Sequence, residues 1–151
     1  MQVSKSFMMS EIPLFDTLGV DEIKETEKRL TYKRLEEGSV VYRQGTAGRS
    51  MCFVVEGELN VVRRDEDGDV VIGTIGQGQS VGEMAIIDGM TRSADVLANT
   101  DAAVLILRQD NFQKLVEEFP LIGVKILKSL ARALSMTLCE RSDTLARLMH
   151  V

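Results

Sequence analysis

The sequence predicts a mainly β domain with flanking α: an eight-stranded jelly-roll β-roll, preceded by an N-terminal helical segment and followed by C-terminal helices. Three observations carry that reading. Residues 31–108 break into about eight short runs rich in β-branched and aromatic residues, punctuated by glycine. A helix inserted between the sixth and the seventh run, within the compact stretch 78–98, interrupts them. On either side, residues 1–30 and 109–151 change to helical periodicity. At 151 residues the chain fits a single domain, 1–151, large enough to bury a core without disulfides or a metal.

Taken in order, Ile12, Leu14, Phe15 and Leu18 form an apolar cluster. DEIKETEKRL then combines strong helix formers with Ile23 and Leu30 two turns apart. Residues up to about Leu30 are expected to be helical and to lie as a lid on the strands after them. The strand-like runs are TYKRL, SVVYR, MCFVVE, ELNVVRR, DVVIGTI, the pair Ser80-Val81, ADVLAN and AAVLILR. Asp67-Gly68 marks a tight hairpin, because Asp-Gly favours the positive φ such turns need. Gly57 marks a second turn, and Gly45 with Gly48 a loop. After Arg108, Asp110 is placed to cap a helix whose Phe112, Leu115, Val116 and Phe119 share one face, with Pro120 ending it. No proline interrupts residues 121–149, which as a helix would run about 43 Å. Leu127, Leu130, Leu134, Leu138, Leu145 and Leu148, with Arg141 in one slot, approach a heptad seam. The distal half therefore reads as a homodimerisation helix; a monomer whose helix folds back on its own roll is the alternative.

Composition narrows the function. Hydrophobic residues at 44% and charged residues at 27% suit a globular protein. No apolar run approaches the ~20 residues a membrane span needs. MQVSKSFMMS lacks a signal-peptide core, so a cytoplasmic location away from membranes is expected. The net charge of −5 argues against a nucleic-acid partner. Five basic residues against two acidic ones after Pro120 read as a solvated helix face. Cys52 and Cys139 lack metal-ligand spacing and read as packing residues. His150 is the single histidine and sits at the end. Neither a histidine-held metal nor a histidine base within the roll is available, so no enzyme activity, cofactor or metal is expected.

The stretch from Gly78 to Ala98, GQSVGEMAIIDGMTRSADVLA, holds the chemistry. Glycine-freed backbone N–H groups, a helix start and the planar fork of Arg92 suit a phosphate. Glu83 would be repelled there unless it faced a donor such as a ribose hydroxyl. On spacing alone, Glu83 and Arg92 could equally form an ion pair across a loop. This stretch resembles the phosphate-binding cassette of cyclic nucleotide-binding domains, the family of the catabolite activator protein and the regulatory subunits of protein kinase A. IPLFDTL, GSVVYRQGTAGRSMCFVVEGELNVV and LRQDNFQKLVEEFP look like further landmarks of that family, in family order.

The resemblance implies that Gly82 and the backbone N–H groups of Met84 and Ala85 face the cyclic phosphate. It implies that Glu83 accepts from the ribose 2′-hydroxyl, Arg92 neutralises the phosphate, and Ser93 adds a donor. The run LARALSMT resembles the segment of the long helix from which, in bacterial members, a threonine contacts adenine; Thr137 takes that place. The next family position is often a serine reaching across the dimer, and here it is Leu138. Thr46 and Arg49 stand where the family commonly has acidic residues. Ser93 is compatible with cAMP and does not exclude cGMP. Family transcription factors continue into a helix-turn-helix domain, whereas this sequence ends at Val151. The expectation is a stand-alone cAMP sensor that signals through its C-terminal helices to an unidentified protein and does not itself bind DNA. A module that keeps the fold without a ligand, for structure or protein interaction, is the alternative.

Overall fold

The computed structural model describes residues 3–149. Eight strands form two four-stranded antiparallel sheets, ordered β1-β8-β3-β6 and β2-β7-β4-β5. The strands are β1 Leu30–Leu35, β2 Val40–Tyr42, β3 Ser50–Glu56, β4 Leu59–Asp65, β5 Gly68–Ile75, β6 Ser80–Val81, β7 Asp95–Ala98 and β8 Ala102–Arg108. Helices α1 Lys5–Ser10 and α2 Val20–Glu27, with a 3-10 turn at Pro13–Phe15 between them, precede the roll. Helix α3 Glu83–Ile87 interrupts it, and α4 Gln109–Glu118 and α5 Pro120–Met149 follow. The fold class and all eight strands are as the sequence predicts.

The run MCFVV explains the layering. Alternate residues of a strand point to opposite faces. Cys52 and Val54 enter the roll interior with Leu35, Leu59, Val96, Ala98 and Val104. Met51 and Phe53 face the helices with Leu30, Leu105 and Leu107, where Met9, Ile12, Phe15, Phe112, Leu115, Ile122, Ile126 and Leu130 cover them. A strand buried on both faces reads as a continuous apolar run, as this one does.

The N-terminal helices close over that layer, as a lid should. Lys125 of α5 reaches Glu22 of α2 at 2.6 Å. Arg29 pairs with Glu118 at 2.7 Å and lies 5.6 Å from the Phe119 ring centroid. Glu22 is held below its ordinary carboxylate range by the Gly19 backbone N–H first and by Lys125 second.

Three local expectations need correction. Leu30 is not the last turn of a helix: α2 stops at Glu27, and Leu30 opens β1 opposite Leu107, because ladder bonds and burial outweigh its helical spacing to Ile23. At the predicted hairpin, Asp65 pairs with Gly68, so the loop residues are Glu66 and Asp67. Gly68 closes the hairpin at φ +120°, while Asp65 accepts the Asp67 N–H at 2.9 Å. Asp110 does not cap α4. β8 runs to Arg108, which becomes the cap position, and Asp110 lies in the first turn, where its charge still suits the helix dipole.

Candidate functional site

The cassette enters through β6, where Ser80 and Val81 pair with Phe53 and Cys52 of β3. Gly82 follows at φ +86°, a left-handed conformation that side chains rarely adopt. A Cβ there would also lie 2.5 Å from Nη1 of Arg92 and 3.1 Å from the Ser50 carbonyl oxygen. Conformation and crowding both demand glycine at 82. In α3, Ala85 and Ile86 turn inward and Met84 outward. Ile86 joins the helix-facing core.

Arg92 comes back onto Gly82 from the far end of the cassette. Its Nη2 donates to the Ser50 carbonyl, its guanidinium carbon lies 3.6 Å from the Tyr42 ring centroid, and its Nε is buried with no hydrogen-bond partner among the described residues. No described carboxylate forms an ion pair with it. Glu83 instead accepts from the Ser80 hydroxyl at 2.8 Å, so the alternative of a Glu83–Arg92 pair is not what the chain adopts.

Of the remaining predicted donors, the Ala85 N–H is already engaged by the Gly82 carbonyl at 3.0 Å, one turn of helix closing on itself. The N–H of Met84 and the hydroxyl of exposed Ser93 have no acceptor among the described residues. Gly82, Glu83, Met84, Arg92 and Ser93 thus lie along one continuous segment that folds back on itself. Thr137 does not join them: it is exposed on α5, and its hydroxyl donates to Ala133 within its own helix at 3.0 Å.

Three contributors were not legible as site residues. The GTAGRS loop holds the Arg92 backbone: Gly45 N–H donates to the Arg92 carbonyl at 2.9 Å, Arg92 N–H to the Thr46 carbonyl at 2.8 Å, and Gly48 N–H to the Met90 carbonyl at 3.2 Å. The hold on Arg92 falls to the backbone: Thr46 and Arg49 are exposed, and the Thr46 hydroxyl donates to the Arg43 carbonyl at 2.6 Å. Buried Asp95 accepts the Gln44 N–H at 2.6 Å and lies 2.6 Å from Arg64 Nε, which approaches off the hydrogen-bonding direction; together these tie β7 to the same loop and to β4. A carboxylate inside the apolar run ADVLA was the available signal. Tyr42 is the third, with its hydroxyl 2.9 Å from Ser50 Oγ. Burial drives its phenol well above the ordinary range and pushes the neighbouring Cys52 thiol up to about 12. A cleft of about 860 Å³ lies elsewhere, between α1 and the β1 edge around Phe7, Tyr32 and Arg34, and shares no residue with the cassette. No cluster of metal-ligating side chains occurs among the described residues, and His150 lies outside them. No described helix is long and apolar enough to cross a membrane.

The sequence model of the Cyclic nucleotide-binding domain family matches residues 32–119, from β1 through α4. The chain belongs to that family. A cAMP-dependent protein kinase regulatory subunit of Yarrowia lipolytica is 34% identical over 108 residues, covering 72% of this chain and 28% of the relative. Glutaminase 2 of Bradyrhizobium diazoefficiens is 34% identical over 136 residues, covering 90% of this chain and 21% of the relative. This chain therefore spans under a third of either relative. A solved cyclic nucleotide-binding domain from Methylobacillus flagellatus superimposes with a TM-score of 0.81 at 26% identity, covering 93% of this chain and 79% of that one. The family confirms the resemblance read from residues 78–98 and places the cassette within the matched region.

Proposed function

We propose that this chain is a cAMP-binding regulatory module that reports occupancy of its cassette to a partner protein through α4 and α5. The observation that carries the reading is Arg92: a guanidinium with no carboxylate partner among the described residues, folded onto Gly82 in the segment that also holds the unengaged Met84 N–H and Ser93 hydroxyl. A monoanionic phosphate supplies the missing negative charge and accepts from these donors. Glu83, one residue from Gly82, is then left to accept from the 2′-hydroxyl of the sugar, exchanging its bond from Ser80. Ser93 suits cAMP, and cAMP is what the kinase-subunit relative is named for. The role is binding without catalysis, in the cytoplasm.

Transmission has a physical route. Ile86 of α3 shares its core with Phe112 and Leu115 of α4 and with Ile122, Ile126 and Leu130 of α5. A ligand that draws α3 toward its phosphate favours one packing of that layer over another, and only such a difference in affinity can shift the equilibrium. Beyond the core, α5 presents Leu138, Leu145 and Leu148 to solvent, a stripe that supports a homodimer. Thr137, on that same exposed stretch, can meet a base only if α5 approaches the cassette or a second copy brings its own.

Calorimetric titration with cAMP and cGMP tests the reading. cAMP is expected to bind more tightly, and Arg92→Ala to weaken it about tenfold to a hundredfold. Undiminished binding by Arg92→Ala overturns the site. A melting temperature unmoved by millimolar levels of either nucleotide identifies a ligand-free module instead.

A further inference from the structure

A buried arginine is ordinarily paired with a carboxylate. Arg92 is held by groups that carry no net charge: the Ser50 carbonyl on one Nη and the face of Tyr42 beneath the guanidinium carbon, 3.6 Å away. Tyr42 is itself fixed, because its hydroxyl is 2.9 Å from Oγ of Ser50, the residue whose carbonyl receives Arg92. Tyr42 and Ser50 stand at the end of β2 and the start of β3, so two strands of different sheets set the platform. Gly82 bounds the guanidinium on the cassette side, with no room for a Cβ.

We propose that Tyr42 is a positioning and affinity-determining residue for the cassette: it holds Arg92 in place and ready while leaving its charge unneutralised. This rests on the cyclic nucleotide reading above. A carboxylate in place of the ring would hold the guanidinium equally well, yet an incoming phosphate would have to displace it and leave that carboxylate buried and unpaired. An aromatic face attracts the cation through its quadrupole and leaves its N–H groups free at the edges. Preorganisation of this kind lowers the ordering cost of binding without adding a ligand contact. Burial keeps the phenol protonated across the working range, so the platform stays neutral and does not become a competing anion.

The test uses the full chain, cAMP titration and a double-mutant cycle. Tyr42→Leu is expected to weaken cAMP about threefold to thirtyfold, the range a cation–π contact spans. Tyr42→Phe, which keeps the ring, should bind within about twofold of the unmodified chain. In an Arg92→Ala background, Tyr42→Leu should add no further loss, because its effect passes through Arg92. An equal loss in both backgrounds overturns the proposal, since Tyr42 would then act through the fold or touch the ligand itself. A second readout needs no ligand. The Arg92 Nε–H proton, lying over the ring, should resonate upfield in the unmodified chain and in Tyr42→Phe, and return to the ordinary arginine position in Tyr42→Leu. Absence of that shift overturns the platform directly. If cAMP fails to bind the unmodified chain while the shift is present, the nucleotide reading falls and the Tyr42–Arg92 placement stands.

Discussion

The two halves of α5 carry a similar rhythm of apolar residues and meet opposite surroundings. In the first half Ile122, Ile126 and Leu130 are sealed against the roll and α4, with Leu130 1% exposed. In the second half Leu145 and Leu148 are 58% and 69% exposed. One continuous helix of 30 residues, about 45 Å, outruns the domain that it covers. Periodicity fixes which residues share a face. It does not say whether the same chain or another covers that face, and the proposed homodimer and the proposed output surface both sit where the chain's own core ends.

The same division separates the cysteines, and there the expected contrast is largest. Cys52 is sealed in the roll, its thiol pushed up to about 12, whereas Cys139 lies exposed on distal α5. Only the thiolate alkylates, so exposed Cys139 should react far faster than Cys52 at pH 8. Iodoacetamide and intact mass should show one adduct on the native chain and two after unfolding. Two rapid native adducts would mean that the roll opens readily.

Packing should separate the halves next. Leu130→Ala removes a sealed side chain and should cost about 2–5 kcal/mol in urea unfolding. Leu145→Ala should change stability by less than about 0.5 kcal/mol in dilute protein. If distal α5 pairs with a second copy, the Leu145→Ala penalty should grow with protein concentration, because association stabilises only the folded chain. A penalty independent of concentration would break the dimer reading and leave the comparison between halves intact.

These contrasts show what the residues disclose before folding. The eight strands were legible because β-branched runs and glycine punctuation are local signals, and the cassette was legible because Gly82, Glu83, Arg92 and Ser93 fall in one stretch of chain. Leu30 and Asp110 misled because their spacing suits a helix while the β1–β8 and β3–β8 ladders claim the backbone around them. Tyr42, Ser50 and Asp95 were hidden for a different reason. Their partners are 50, 42 and 51 residues away in order of Tyr42–Arg92, Ser50–Arg92 and Asp95–Gln44, and no local pattern records such a meeting. The GTAGRS loop was conspicuous for its side chains, yet its backbone does the holding.

Within the cassette, Gly82→Ala should fall next in size. The left-handed conformation costs a non-glycine residue about 1–2 kcal/mol, and the new methyl group meets Arg92 Nη1. Both melting temperature and cAMP affinity should drop. A variant that loses stability but keeps affinity would show that Arg92 can be displaced without harm, which would weaken the site more than the fold.

The smallest effect is expected where proximal α5 meets the lid. Glu22 is held below the ordinary carboxylate value of 4.5 by the Gly19 N–H and Lys125, so its folded form favours the ionised state. That contribution is present in full above the unfolded value and is lost as pH falls from about 4.5 through the lower folded value. The pair is partly solvated, so about 0.5 kcal/mol is at stake. Glu22→Gln should therefore lower stability slightly at pH 7 and flatten this part of the acid dependence, since the amide has no proton to take up. Stabilities of the two proteins should converge once the pH lies below that folded value; a difference that persists there would show that Lys125 anchors the lid through its methylene stem, and that charge plays no part in joining α2 to α5.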